Sequence, residues 1–193
     1  DIWKQTSANV TVQISPLRGN DMLWRTNLTI GWNIIPSEED AAFLGCDDIQ
    51  KAYRYSTSRG DYVEMERFGA QFIPMAGEPD VSGERTGGLA VFSRKRCAMS
   101  IVADSGRLSG QWVTLASNQE RSITVPYTWY GKTKADLLAA YCSPLDAGVI
   151  LFNTWDAKAQ RWILDYTSTL YPGQVLQIKT RNLTSACTLP LWG

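Results

Sequence analysis

A two-residue alternation of apolar and polar side chains, repeated in short segments, limits this chain more than any other feature. Val10-Thr-Val-Gln-Ile14 alternates in this way, and so does Leu28-Thr-Ile-Gly-Trp-Asn-Ile-Ile35. A period of two puts one face of an extended strand toward a core and the other toward water. Similar segments, rich in β-branched and aromatic residues, cover 62–73, 88–92, 98–102, 111–115, 122–129, 149–155, 162–170 and 175–180. Gly, Pro, Asn, Asp and Ser separate them, as turns require. This pattern predicts an all-β sandwich or barrel.

Two interruptions predict short helices. Ser37-Glu-Glu-Asp-Ala-Ala-Phe-Leu44 opens with a capping pattern and stops at Gly45, with a further helical turn expected over 47–53. Thr133-Lys-Ala-Asp-Leu-Leu-Ala-Ala140 carries strong helix formers and ends before Ser143-Pro144. Ala76 to Gly88 holds four glycines and a proline and reads as an exposed loop. No internal repeat or linker is visible, so residues 1–193 are expected to form a single domain.

Composition excludes several chemistries. The chain has no histidine, so neither a Ser-His-Asp nor a Cys-His unit can exist, and no imidazole can bind zinc. Nineteen basic residues balance nineteen acidic ones, leaving no global field of the kind that draws nucleic acid. No apolar stretch is long enough for a membrane-spanning helix. Asp1, in place of a methionine, reads as the product of cleavage from a precursor or as a boundary. Cys46, Cys97, Cys142 and Cys187 include no Cys-x-x-Cys pair, which argues against a thiolate zinc site or a redox motif. An even number leaves two disulfides open, but the favoured reading is reduced core cysteines, because a free thiol packs as a small hydrophobe.

The remaining candidates are weak as chemistry. Glu64 and Glu66 share a face of one strand about 7 Å apart, near the spacing of an inverting glycosidase pair, yet such pairs normally face each other across a cleft. Arg59-Gly60-Asp61 is a tripeptide integrins can bind, and its plainer reading is a turn entering a strand. Arg94-Lys95-Arg96 is the one tight basic run, able to touch RNA phosphate or simply to form a solvated turn. Asn9, Asn27 and Asn182 begin sequons. No catalytic residue, cofactor or metal ligand is assigned, and the chain is not expected to be an enzyme.

Residues 52–73, Ala-Tyr-Arg-Tyr-Ser-Thr-Ser-Arg-Gly-Asp-Tyr-Val-Glu-Met-Glu-Arg-Phe-Gly-Ala-Gln-Phe-Ile, resemble the entry into the long C strand of picornavirus-like capsid proteins. Gly88-Leu-Ala-Val-Phe92, Ser122-Ile-Thr-Val-Pro-Tyr-Thr-Trp-Tyr130 and Ser143-Pro-Leu-Asp-Ala-Gly-Val-Ile-Leu-Phe152 resemble later pieces of that family, in order, over about residues 22 to 182. The resemblance, to plant secovirids or their insect-infecting relatives among such viruses, implies an eight-stranded jelly roll with two short helical insertions. It implies a coat subunit of an icosahedral, pseudo-T=3 virion, assembled in the host cytoplasm with related subunits around genomic single-stranded RNA, without membrane. The expected RNA contacts are Arg94, Lys95 and Arg96. The expected assembly contacts are the helical segments, the 77–88 loop and the apolar end with Leu189, Leu191 and Trp192, whose burial against a neighbour would explain its composition. The alternative is a secreted carbohydrate-binding or glycoside-hydrolysing β-sandwich. The capsid reading expects free thiols, whereas the alternative expects disulfides.

Overall fold

The computed structural model describes residues 3–7, 10–16, 21–38, 41–81, 86–104, 112–146, 149–164 and 168–191. The first half of the chain forms β1 (Trp3–Ser7), β2 (Val10–Pro16), β3 (Asp21–Leu28), β4 (Gly31–Glu38), β5 (Ala42–Leu44), β6 (Ile49–Ser56), β7 (Asp61–Phe68), β8 (Gln71–Pro74), β9 (Thr86–Ser93) and β10 (Cys97–Asp104). The second half forms β11 (Trp112–Leu115), β12 (Glu120–Thr124), α1 (Lys134–Tyr141), β13 (Ile150–Asp156), β14 (Arg161–Leu164), β15 (Val175–Thr180) and β16 (Cys187–Pro190). The protein is therefore all-β, with every strand pair among the described residues antiparallel. Sixteen strands in four sheets are described, in place of the eight strands expected.

Among the described residues, the buried side chains gather in two clusters. One runs from Trp24 to Ala103, the other from Val113 to Leu191. We call these halves the first and second lobes. In the first, the sheets have the orders β1-β2-β3-β10-β5 and β4-β9-β6-β7-β8. The successive strands β6, β7 and β8, with β9 returning beside β6, make a Greek key. In the second lobe the orders are β11-β16 and β12-β15-β13-β14.

The same pairing scheme occurs in both lobes. β3 pairs with β10 as β11 pairs with β16, placing Cys97 opposite Leu28 and Cys187 opposite Leu115. The order β4-β9-β6-β7 matches β12-β15-β13-β14, with Ile35 opposite Leu89 and Ile123 opposite Leu176. Hairpin β6-β7 closes at Ser56 and Asp61, and β13-β14 at Asp156 and Arg161. The turns inside them, 57–60 and 157–160, both end in a left-handed residue, Gly60 (φ 69°) and Gln160 (φ 52°). The repeat is invisible in the sequence because these matches lie in backbone pairing and side-chain class.

The cysteines correct the expectation of free thiols. Cys46 is bonded to Cys97 and Cys142 to Cys187, with Cα separations of 5.3 and 4.9 Å. In each lobe the bond ties the segment preceding the β6-type strand to the first residue of the β10-type strand. That segment follows β5 in the first lobe and α1 in the second, so one staple serves a strand in one place and a helix in the other.

One of the two expected helices is present. α1 is capped by Thr133, whose side chain accepts from the Asp136 amide while Asp136 accepts from the Thr133 amide. In the 37–44 segment, Ser37 and Glu38 instead lie in β4, and Ala42, Phe43 and Leu44 form β5 and pair with Val102, Ile101 and Ser100; residues 39–40 lie outside the described residues. Phe43 is buried against Phe72 at 5.0 Å while Leu44 is exposed, a period of two that overrides the local helix propensity. The turn expected over 47–53 is likewise taken up by β6. Gly69 (φ 61°) splits the long strand expected over 62–73 into β7 and β8.

A candidate binding cleft between the lobes

The matching four-strand arrays of the two lobes meet where β9 and β12 cross. The Gly88 amide donates to Ser122 Oγ at 3.0 Å, and Thr124 Oγ1 donates to the Gly87 carbonyl at 2.6 Å. A Cβ on Gly88 would collide with Val175 Cγ1 and reach Ile34 Cγ2 at 3.0 Å and Ser122 Oγ at 3.1 Å. The pair Gly87-Gly88, read from the sequence as part of an exposed loop, is buried strand that allows this close approach. At the far end, Gln160 clamps Trp32: the Trp32 amide donates to Oε1 at 2.7 Å, and Nε2 donates to the Trp32 carbonyl at 2.9 Å. Trp155 Nε1 donates to the same carbonyl at 3.1 Å.

A small cleft with a volume of about 10 Å³, room for about one water molecule, opens at this junction, lined by Ile34, Tyr55, Tyr62, Gly88, Ala90, Ser122, Trp162 and Gln177. Several of these are repeat equivalents. Ile34 corresponds to Ser122, Tyr62 to Trp162, and Ala90 to Gln177, by the strand registers above. Equivalent positions converging on one point is the arrangement an isologous dimer produces. The copies have diverged in chemistry. Both contribute an aromatic ring, the first lobe adds an apolar floor, and the second adds a hydroxyl and an amide.

The polar side is braced. Gln177 donates to Glu120, and Glu120 forms an ion pair with Lys179 at 3.0 Å. Burial, then the nearby Glu120 carboxylate, pushes the Tyr62 phenol above its ordinary pKa, so it stays protonated and able to donate. Tyr55 holds Tyr62 edge-on with ring centroids 5.3 Å apart, and Trp155 holds Trp162 at 5.4 Å. The rings facing the cleft are therefore fixed by neighbours. No group of three or more metal-ligating side chains is found among the described residues.

The residues singled out from sequence lie elsewhere. Arg94, Lys95 and Arg96 are exposed in the β9–β10 turn, where Lys95 pairs with Asp48 at 3.1 Å. Arg59, Gly60 and Asp61 lie exposed at the β6–β7 hairpin, with Arg59 facing Glu78 at 3.6 Å. Glu64 accepts from the Tyr53 hydroxyl at 3.3 Å while Glu66 is exposed. Asn27 and Asn182 are exposed, and Asn9 falls outside the described residues. Leu189 and Leu191 are 0% and 2% exposed within the chain's own second core, which accounts for their apolar character without a neighbour; Trp192 lies outside the described residues. Sequence reasoning missed Tyr62 and Trp162 as a pair. No sequence signal joins them, because the repeat lies in backbone pairing.

Comparisons with known proteins return nothing: no family model, curated protein or solved structure matches the chain.

Proposed function

We propose that this chain is a carbohydrate-binding protein of an oxidising compartment and that the cleft between its lobes is the sugar site. The observation that carries this reading is the composition of the cleft: two braced aromatic rings from equivalent strands, with Ser122 and Gln177 on one side and Ile34 and Ala90 on the other. A pyranose has apolar C–H faces that stack on aromatic rings and hydroxyls that need placed donors and acceptors; since the cleft itself holds about one water, the sugar would lie across its mouth, against the partly exposed Tyr62 and Trp162 rings. The two disulfides support secretion, since such bonds persist outside reducing compartments. The role is binding without catalysis. Glycan-array screening followed by calorimetry tests it: the wild type is expected to bind a saccharide, and Trp162→Ala to weaken binding at least tenfold with the fold retained. Absence of binding to any glycan, or unchanged affinity in the variant, overturns the assignment.

The capsid-subunit reading keeps one supporting observation. Pairing β3 with β10 and β4 with β9, and laying β5 beside β10 and β6 beside β9, is how an antiparallel hairpin winds into a jelly roll. That topology would belong to the first lobe, with the second as a reduced copy. The disulfides count against assembly in a reducing cytoplasm. Sedimentation of the native species separates the readings: an RNA-containing megadalton particle favours the shell, and a small oxidised protein favours the sugar-binding role.

A further inference from the structure

The repeat identifies an edge that one lobe covers and the other leaves open among the described residues. In the first lobe, β3 is flanked by β10 on one side and by β2 of the N-terminal hairpin β1-β2 on the other. Its counterpart β11 pairs with β16, and no second strand lies beside it among the described residues. Trp112 on β11 is 59% exposed and Thr114 is also exposed. Natural sheets guard such edges with charge, proline or brevity. β14 carries Arg161, β12 carries Glu120 and Arg121, β4 and β8 carry Pro36 and Pro74, and β5 is three residues long. Trp112-Val-Thr-Leu115, four residues long, carries neither charge nor proline.

We propose that β11 is a docking edge for the N-terminal hairpin of a second copy of this chain, with β1 of that copy adding as a strand. In the first lobe the equivalent position beside β3 is taken by β2, the inner strand of the hairpin β1-β2, so an element of this hairpin is what the scheme places there. β2 stays on its own β3 while β1, five residues long and on the outer side of its sheet, meets the four residues of β11. The sheet then runs β5-β10-β3-β2-β1 in one copy into β11-β16 of the next. Donor and acceptor are different surfaces, so the contact is heterologous and propagates head to tail. Backbone pairing supplies the attraction, as in other cases of strand addition, and zero formal charge places no net repulsion between copies.

Sedimentation velocity on the full chain across a concentration series up to about 0.1 mM tests this directly. The wild type is expected to grow beyond dimer with concentration. Trp112→Lys/Thr114→Lys changes only exposed side chains and blocks the acceptor. Gln5→Pro and Thr6→Pro, tested singly, each remove one amide, and alternation along a strand means one of the two points outward and blocks the donor. Each blocked chain is expected to associate at least tenfold more weakly, while an acceptor-blocked chain mixed with a donor-blocked chain forms pairs and stops. A wild type that stays monomeric, blocked chains that assemble like wild type, or a mixture that fails to pair overturns the proposal.

Discussion

The two lobes are built on one pairing scheme with different amounts of material. The first has two five-stranded sheets; the second has sheets of four and two strands and places α1 where the first has β5. In the first lobe β5 is held to β10 by strand pairing as well as by Cys46–Cys97. In the second, α1 is held by Leu137 and Leu138 packing in the same core as Leu189, and by Cys142–Cys187 at its C-terminal end. The arrangement of chain around a core is therefore more durable than the type of element that fills each position, provided a covalent staple fixes the ends. The smaller lobe is expected to depend more heavily on its staple.

Replacing each cysteine pair by serine tests that dependence and should give the largest effect. The two loops are similar in length, 51 and 45 residues, so the chain-entropy contribution is about the same for both, roughly 4 kcal/mol. Hydrogen exchange resolved by lobe is expected to show the second lobe opening globally without Cys142–Cys187, and the first lobe only loosening without Cys46–Cys97. Equal losses would show that the lobes are equally self-sufficient.

Next in size is Leu189→Ala, which removes a fully buried side chain opposite Val113 and should cost about 2–5 kcal/mol in denaturant unfolding, confined to the second lobe. Leu145→Ala is the control, since Leu145 is 80% exposed and should change little. Were the C-terminal leucines assembly contacts alone, Leu189→Ala would leave the isolated chain as stable as before.

Gly88→Val probes the junction. The added atoms collide with Val175, and overpacking of this kind costs about 1–3 kcal/mol. The expected outcome is weakened coupling between lobes, seen as two separate unfolding transitions where the wild type gives one, with sugar binding lost and both cores intact.

The smallest effects belong to α1 and its surroundings. Thr133→Ala removes the N-cap and should cost about 1 kcal/mol. The Thr133 amide and hydroxyl hold the Asp136 carboxyl below the usual carboxylate range, and the Thr184 amide first, then its hydroxyl, do the same for Asp146. A lowered folded-state pKa stabilises above the unfolded value and is lost as pH falls through the folded one. Acid below about pH 4 is therefore expected to speed amide exchange in α1 and the 181–191 segment, and unchanged exchange there would remove these carboxylates as supports.

Much of the fold could be read from the sequence because it rests on local signals. Alternation located most strands, and the Thr133-Lys-Ala-Asp136 cap located α1, since a capping box is complete within four residues. The same logic failed at Ala42 to Leu44, where good helix formers are drawn into strand by pairing with β10. The candidate site was hardly visible. Tyr62 and Trp162 each stand second in a strand that follows a four-residue turn, but nothing in either neighbourhood states that they share a cleft.

The sequence by itself determined an all-β chain, the position of its helix and the absence of imidazole chemistry, because periodicity, capping and composition act over a few residues or over none. Only the tertiary structure decided which cysteines pair, that one pairing scheme occurs twice, and that Ser122, Trp162 and Gln177 face Ile34, Tyr62 and Ala90. Those outcomes depend on strands tens of residues apart choosing partners by which faces can be buried together, a condition no local window of the chain contains.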